Sequence, residues 1–254
     1  MISKSLHERL QAGASVWGSV IRSRSDYAVD IFAAAGFDVI LVDCQHSLIS
    51  ESAAVQMLAP LRETDVAGFI RVSANDPALI GSVLDGGADG VIVPMVETAE
   101  AAASAAAAVR YAPTGARSWG PMPWAGSDPD TVQARARCYV MLESEAGIAN
   151  AEAICGTPGV DGVYMGPADL AISLGERWGD GTGAPRTRAA LSETVAICRS
   201  AGIVPGIAGG SGSTGAEFAA IGYRFVTVAV DNVLLSKGAA RELESARRGA
   251  VIPA

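Results

Sequence analysis

Lysine is almost missing from this chain. Lys4 and Lys237 are the only two in 254 residues, and neither lies in the central pattern described below, so a lysine Schiff base in a core site lacks its nucleophile. Histidine is as scarce, with His7 near the start and His46 in the body of the chain. The four cysteines, Cys44, Cys138, Cys155 and Cys198, contain no CxxC pair, which argues against a disulfide framework or a zinc site and for reduced thiols in the cytoplasm. Long apolar runs are absent too. The longest, such as Val39 to Val42, fall far short of the roughly 20 residues that cross a bilayer, so no membrane span is expected. Met1 to Gln11 carries Lys4, Glu8 and Arg9 without an apolar core and small-residue cleavage positions, so a secretory signal is not expected either. Basic charge is in deficit, 19 residues against 27 acids for a net charge of −8, which disfavours nucleic acid as a partner.

What is present is ordinary globular composition, 50% hydrophobic with 29 glycines, at a length suited to one large domain. Short β-rich runs alternate with alanine-rich helical stretches throughout. The strands expected are Ser15 to Ile21, Val39 to Asp43, Gly68 to Val72, Gly90 to Val93, Cys138 to Leu142, Gly162 to Met165, Ile203 to Gly206 and Phe225 to Val230. Helices are expected near Tyr27 to Ala35, Glu51 to Glu63, Pro77 to Asp85, Thr98 to Val109, Ile148 to Cys155, Arg188 to Ser200, Gly215 to Ile221 and Val233 to Arg248. Several helices end in one device before the next strand, at Gly36, Gly87, Gly202 and Gly222, where glycine supplies a left-handed turn. Eight such units favour a closed (β/α)8 barrel spanning 1–254 as a single domain over an open doubly wound sheet.

In such a barrel the chemistry lies on loops after the carboxyl ends of the strands. Polar residues at those ends are Asp43-Cys44-Gln45-His46, Arg71, Glu143 and Gly166-Pro167-Ala168-Asp169. Glu143 and Asp169 come from adjacent strands, and two hard carboxylates at one rim can hold a divalent cation while leaving positions for water and substrate. The alternative is that each caps the helix after it. Arg71, a charge inside an apolar strand, either pairs with Asp43 or aims its fixed donors at a substrate oxyanion. His46 lies within reach of the same mouth, where an imidazole can move a proton. The Gly/Ser-rich stretch 208–215 follows strand seven, where barrels bind phosphate, but no basic residue accompanies it. The proline-stiffened loop Tyr111 to Asp130 holds Arg117, Trp119 and Trp124, which could cover the mouth as a lid or serve a subunit contact.

Taken together in order and spacing, these segments resemble the HpcH/HpaI aldolases, metal-dependent pyruvate aldolases grouped with the citrate lyase β family. The resemblance runs the length of the chain, through Ala35-Gly36-Phe37-Asp38, Asp43 to His46, Ile70-Arg71-Val72 with Asn75-Asp76-Pro77, Val93-Pro94-Met95-Val96, Arg110 to Arg117, Glu143 and Gly162 to Leu170. It implies that Glu143 and Asp169 bind a divalent metal (Mg2+, Mn2+ or Co2+) and that Arg71 lies beside the keto oxygen. His46 would form a dyad with Asp85, and the Ala168 amide would meet the substrate carboxylate, with Gly166 and Asp169 beside it. Asp43 and Gln45 would support these groups from behind. It also implies a homohexamer whose C-terminal helix, Val233 to Ile252, is exchanged between subunits. Gln45 departs from the family, where many members have Glu, and so does Ser118-Trp119-Gly120-Pro121; the first bears on charge behind the metal pair, the second on the aldehyde accepted.

The expected activity is a metal-assisted, reversible retro-aldol cleavage of a 4-hydroxy-2-oxo acid to an aldehyde and pyruvate or a related 2-keto acid such as hydroxypyruvate. The rivals are oxaloacetate decarboxylation or acyl-CoA lysis through the same enolate, and a barrel that only binds.

Overall fold

Eight short runs of apolar residues form parallel strands because both of their faces are covered, one by the barrel interior and the other by helices. The computed structural model describes residues 6, 8–10, 12–120, 122, 128–177 and 183–249. Its strands are β1 (Val16–Ile21), β2 (Val39–Asp43), β3 (Ala67–Arg71), β4 (Gly90–Val93), β5 (Arg137–Leu142), β6 (Gly162–Met165), β7 (Val204–Ala208) and β8 (Phe225–Val230). They pair in chain order, and β8 closes on β1. Each expected strand is present, displaced by at most two residues at an end.

The helices are α1 (Asp26–Ala34), α2 (Glu51–Leu58) continued by a 3-10 turn (Ala59–Glu63), α3 (Pro77–Asp85), α4 (Ala99–Val109), α5 (Pro129–Arg135), α6 (Glu145–Ala149), α7 (Ala151–Cys155), α8 (Pro167–Ser173), α9 (Pro185–Ala201), α10 (Gly212–Ile221) and α11 (Asp231–Gly249). The expected helix at Ile148 to Cys155 is two short ones, divided at Asn150, whose side chain donates to the Glu97 carbonyl at 2.7 Å. Short helices α5 and α8 are additional to the eight helices expected from sequence. Gly36, Gly87, Gly202 and Gly222 all have positive φ, between 70° and 121°, as the helix-ending device requires.

Side chains alternate along each strand, so one row fills the barrel and the other packs beneath the helices. Leu41, Phe69, Tyr139, Met141, Tyr164 and Phe225 lie in the inner cluster, with Phe225 edge-to-face against Tyr139. The same alternation continued by one step places Asp43, Arg71 and Glu143 on the inward row at the carboxyl end. Apolar filling thus stops one residue pair below the mouth, and charge begins there.

Helix α11 departs from the pattern. It makes its main contacts with β1 and β8, while Leu234, Leu235 and Leu243 are half exposed or more. Facing solvent elsewhere are Tyr27 and Ile31 of α1 and Ile221 of α10, apolar surface that a helix following β8 would ordinarily cover. Among the described residues no helix is long and apolar enough to cross a membrane.

Candidate active site

The mouth is built around Asp43, which is wholly buried at the end of β2. Its register partner across the β2–β3 pair is Arg71. Arg71 Nε donates to Asp43 Oδ1 at 2.8 Å and Nη2 to Oδ2, forming a forked pair. Arg22, just past β1, adds a bond from its Nε to Oδ2 at 2.8 Å, and the backbone N–H groups of Gln45 and His46 donate to Oδ1 at 3.1 Å. Burial pushes the Asp43 carboxyl up, but the Arg71 bond and charge, the His46 amide and Arg22 outweigh it and hold the group below its usual range. Arg71 does pair with Asp43, and this pairing also aims it. Two of its three nitrogens are fixed, leaving Nη1 with only a weak contact to Met141 Sδ at 3.7 Å.

Glu143 is 3% exposed at the end of β5. Helix α6 is capped by Ser144, whose Oγ accepts from the Gly147 amide at 3.0 Å, so the reading of Glu143 as a helix cap is corrected. Glu143 Oε1 instead accepts from the Met95 N–H at 2.8 Å. Met95 is the one non-glycine residue among those described with positive φ, 53°, a conformation costly for an unbranched side chain and unforced by any turn glycine. Glu143 Oε2 is buried without a hydrogen-bond partner. Burial raises the carboxyl above its ordinary range; the Met95 amide opposes this, while the charge of Asp169 adds to it. Room beside Oε2 exists because residue 166 is glycine, since a Cβ there would stand 2.9 Å from that oxygen.

Asp169 is exposed in the first turn of α8, whose cap position is Gly166 with no side-chain cap bond, so Asp169 is not a capping residue. Two carboxylates that feel each other, one of them buried with an idle oxygen, fit a hard divalent cation that takes its other ligands from water and substrate. Among the described residues no group of three or more His, Cys, Asp or Glu side chains could hold a metal. Ala168, at the second position of α8, is partly exposed beside Asp169.

Two expectations are corrected for a single chain. His46 is exposed at the mouth and its side chain makes no hydrogen bond among the described residues. Asp85 ends α3, and a helix that returns after a strand ends at the opposite, lower face of the barrel. Its carboxylate accepts there from Arg117 Nη2 at 2.6 Å, so the His46–Asp85 dyad is not formed within one chain. The described start of the loop after α4, Tyr111 to Gly120, lies at that lower face for the same reason. Arg117 is buried over the Tyr111 ring, and Trp119 packs edge-on against Tyr111, so neither covers the mouth of its own barrel. Trp124, like His7 and Lys4, lies outside the described residues.

Sequence reading missed Arg22, Met95 and Asp231. Asp231 begins α11 and accepts from the Arg22 and Ser23 amides at 2.9 Å, tying the ends of β8 and β1 together. The rule applied to strands two, three, five and six would have found Arg22 and Asp231 at the ends of strands one and eight. The Gly/Ser stretch is the ordered start of α10, with Ser211 Oγ accepting from the Thr214 amide at 3.2 Å.

Comparison with known proteins agrees with this geometry. The family described as HpcH/HpaI aldolase/citrate lyase matches residues 19–237. A hydroxypyruvate/pyruvate aldolase from Chromohalobacter salexigens is 36% identical over 84% of this chain and 86% of its own. A 4-hydroxy-2-oxo-heptane-1,7-dioate aldolase from Salmonella dublin is 33% identical over 96% of this chain and 94% of its own. A solved HpcH/HpaI-family protein from Burkholderia cenocepacia superposes with a TM-score of 0.88 at 30% identity, covering 96% and 99% of the two chains. With the barrel, the carboxyl-end charge cluster and these matches in agreement, the chain belongs to the HpcH/HpaI aldolase/citrate lyase family.

Proposed function

We propose that this chain is a divalent-metal-dependent aldolase that cleaves a 4-hydroxy-2-oxo acid to an aldehyde and a 2-keto acid such as pyruvate or hydroxypyruvate, and runs the reverse addition. The observation that carries the reading is the idle, buried Oε2 of Glu143 facing the space that Gly166 leaves, with Asp169 near enough to raise its affinity for protons. Glu143 and Asp169 would hold the cation, Mg2+, Mn2+ or Co2+, which supplies Lewis-acid stabilisation of developing enolate charge. Arg71, fixed by Asp43, offers Nη1 to the same oxyanion. The first turn of α8 presents the Ala168 amide to the keto-acid carboxylate. His46 moves the proton between substrate and solvent. Lysine chemistry finds no support, since Lys237 is exposed on α11.

Proton exchange of pyruvate in deuterated water tests this. It should require a divalent cation, vanish with a chelator and return with Mn2+, and borohydride should leave no covalent pyruvate adduct. Exchange that survives metal removal, or a trapped adduct, would overturn the reading.

Replacing His46 by alanine should leave pyruvate affinity nearly unchanged but lower turnover by roughly two to four orders of magnitude, the usual range for a lost general acid–base. Calorimetry beside cleavage rates checks it, and intact turnover returns His46 to a surface role. Met95 offers a second split. Met95→Gly keeps both positive φ and the N–H that pins Glu143, whereas a β-branched Met95→Val resists that conformation. Mn2+ affinity should therefore hold in the first and fall on the order of tenfold in the second; equal affinities would mean that Met95 does not position Glu143.

Asp85 reaches a His46 only in a second copy of the chain, and α11 with its unpartnered leucines favours exchange between subunits. An assembly, a hexamer by resemblance, follows, and light scattering should give a mass several times the 25.8 kDa of one chain. A monomer would refute both the exchange and the dyad.

A further inference from the structure

Arg22 carries donors that the aldolase reading leaves unused. It stands one residue past β1 and continues the inward row of Val16 and Val20 up to the mouth. Its Nε donates to Asp43 Oδ2 at 2.8 Å, and Arg71 Nη2 donates to the same oxygen, so two guanidinium groups meet on one atom. Asp43 has nothing left for the rest of Arg22, since its Oδ1 already accepts from Arg71 Nε and from the Gln45 and His46 amides. The other acid at this edge of the mouth, Asp231, is taken by the amides of Arg22, Ser23 and Asn232 and by the Ser23 hydroxyl.

Among the described residues Arg22 Nη1 and Nη2 make no hydrogen bond, and both reach solvent on a side chain that is 35% exposed. Held by Nε alone, Arg22 keeps its end-on edge, Nη1 beside Nη2, free at the mouth. Two parallel N–H donors on that edge match the two oxygens of a carboxylate. An alkyl tail laid over the same edge would shut it off from water and give no acceptor in return, which is costly for a charged group. The edge therefore discriminates by charge. Its position fits the substrate as well. Arg71 Nη1 is the donor to the keto oxygen, and Arg22 meets Arg71 on Asp43 Oδ2, so the far end of an oxo acid a few carbons longer than pyruvate comes level with Arg22.

We propose that Arg22 sets the specificity of this site for a substrate with a second carboxylate at the end remote from the keto acid, so that the aldehyde released is itself an acid. The Nη edge of Arg22 holds that carboxylate while Arg71 and the Glu143–Asp169 side of the mouth hold the keto-acid half. The keto-acid half rests on the aldolase reading; the far half rests on Arg22 alone.

Two uncleavable analogues, 2-oxohexanedioate and 2-oxohexanoate, are the probes. They have the same chain length, lack the 4-hydroxyl and differ only in the far carboxylate. Calorimetry on the Mn2+-loaded protein should show the diacid bound about tenfold or more tighter than the monoacid, as a charge-assisted contact implies. Arg22→Gln should remove most of that ratio, and Arg22→Lys should restore part of it, since lysine returns the charge without the fork. In synthesis from pyruvate, the preference for succinate semialdehyde over butanal should fall about tenfold in Arg22→Gln, chiefly through KM. Equal affinities for the two acids in the wild type overturn the assignment without any variant. Weakening of both acids alike in Arg22→Gln, with the ratio kept, overturns it too and leaves Arg22 as a support for Asp43. Pyruvate proton exchange in the wild type separates the two readings. Exchange without a preference for the diacid sinks the role of Arg22 alone, whereas a preference for the diacid without exchange sinks the aldolase and keeps the Arg22 contact.

Discussion

Glu143→Gln should abolish metal-dependent turnover and at the same time raise the melting temperature of the metal-free protein at neutral pH. The two effects share one cause. Burial, with the charge of Asp169 behind it, lifts the Glu143 carboxyl above its ordinary range against the opposing Met95 amide. A group whose pKa is raised on folding contributes stability that is fully present below its unfolded pKa, about 4.3 for Glu, and lost as pH rises through the folded value. Above the unfolded value the charge of this buried, half-satisfied carboxyl is therefore a net cost to the metal-free fold. Glutamine removes that charge and keeps a carbonyl oxygen for the Met95 N–H. The variant should gain stability at pH 7 and show little difference near pH 4. Turnover should fall on the order of 10³-fold or more, since Lewis-acid stabilisation is worth several kcal/mol and about 1.4 kcal/mol is tenfold. Asp169→Asn, at an exposed position, should lose turnover without the gain in stability. Because protons and cation compete for Glu143, wild-type metal affinity should also weaken as pH falls through its raised pKa. Thermal melts, Mn2+ titrations and cleavage rates test each part, and wild-type rates at limiting metal in both variants would sink the carboxylate pair as the site.

The legibility of this site in the sequence has a geometric reason. Strand alternation and the glycine-ended helices are local signals, so the barrel, its strand order and its mouth could be read from Leu41 with Asp43, Phe69 with Arg71 and Met141 with Glu143. Asp43 and Arg71 sit in register because their strands are neighbours, and the sequence could offer that pairing as one of two readings. What it could not offer was that both hold together: the pair both satisfies the charges and fixes Nη1. Nor does any local pattern announce that Met95 takes positive φ, since nothing in Val93-Pro94-Met95-Val96 forces it; the constraint comes from Glu143, 48 residues later. Asp85 and Arg117 were misplaced for a different reason. Family resemblance assigns Asp85 to an active site without saying whose, the stiffened loop suggests a lid for Arg117, and only the course of α3 and α4 down the outside of the barrel puts both at the far end from their own mouth.

The remaining large effect concerns Arg71, where structure adds a cost that sequence reasoning left out. Arg71→Ala should lower both pyruvate affinity and turnover, because Nη1 acts on bound and reacting substrate alike. It should also destabilise the fold by about 3–5 kcal/mol, since it strips a forked partner from a carboxylate with no solvent exposure. For a domain of this size that corresponds to a fall in melting temperature of roughly 6–20 °C. Arg22 and the two amides moderate the loss and set the lower end of the range. The pH dependence follows from Asp43. In the wild type its pKa is depressed, so its contribution is present above the unfolded value, about 3.9, and is lost only as pH falls through the lower folded one. Without Arg71 burial dominates, the Asp43 pKa rises, and the deficit should shrink as pH falls and the carboxyl takes up a proton. Asp43→Asn placed in the Arg71→Ala background removes the stranded charge and should restore much of the stability without restoring turnover. Recovery of turnover along with stability would make Arg71 a structural residue alone. A stable Arg71→Ala protein that binds pyruvate as the wild type does would remove it from both roles.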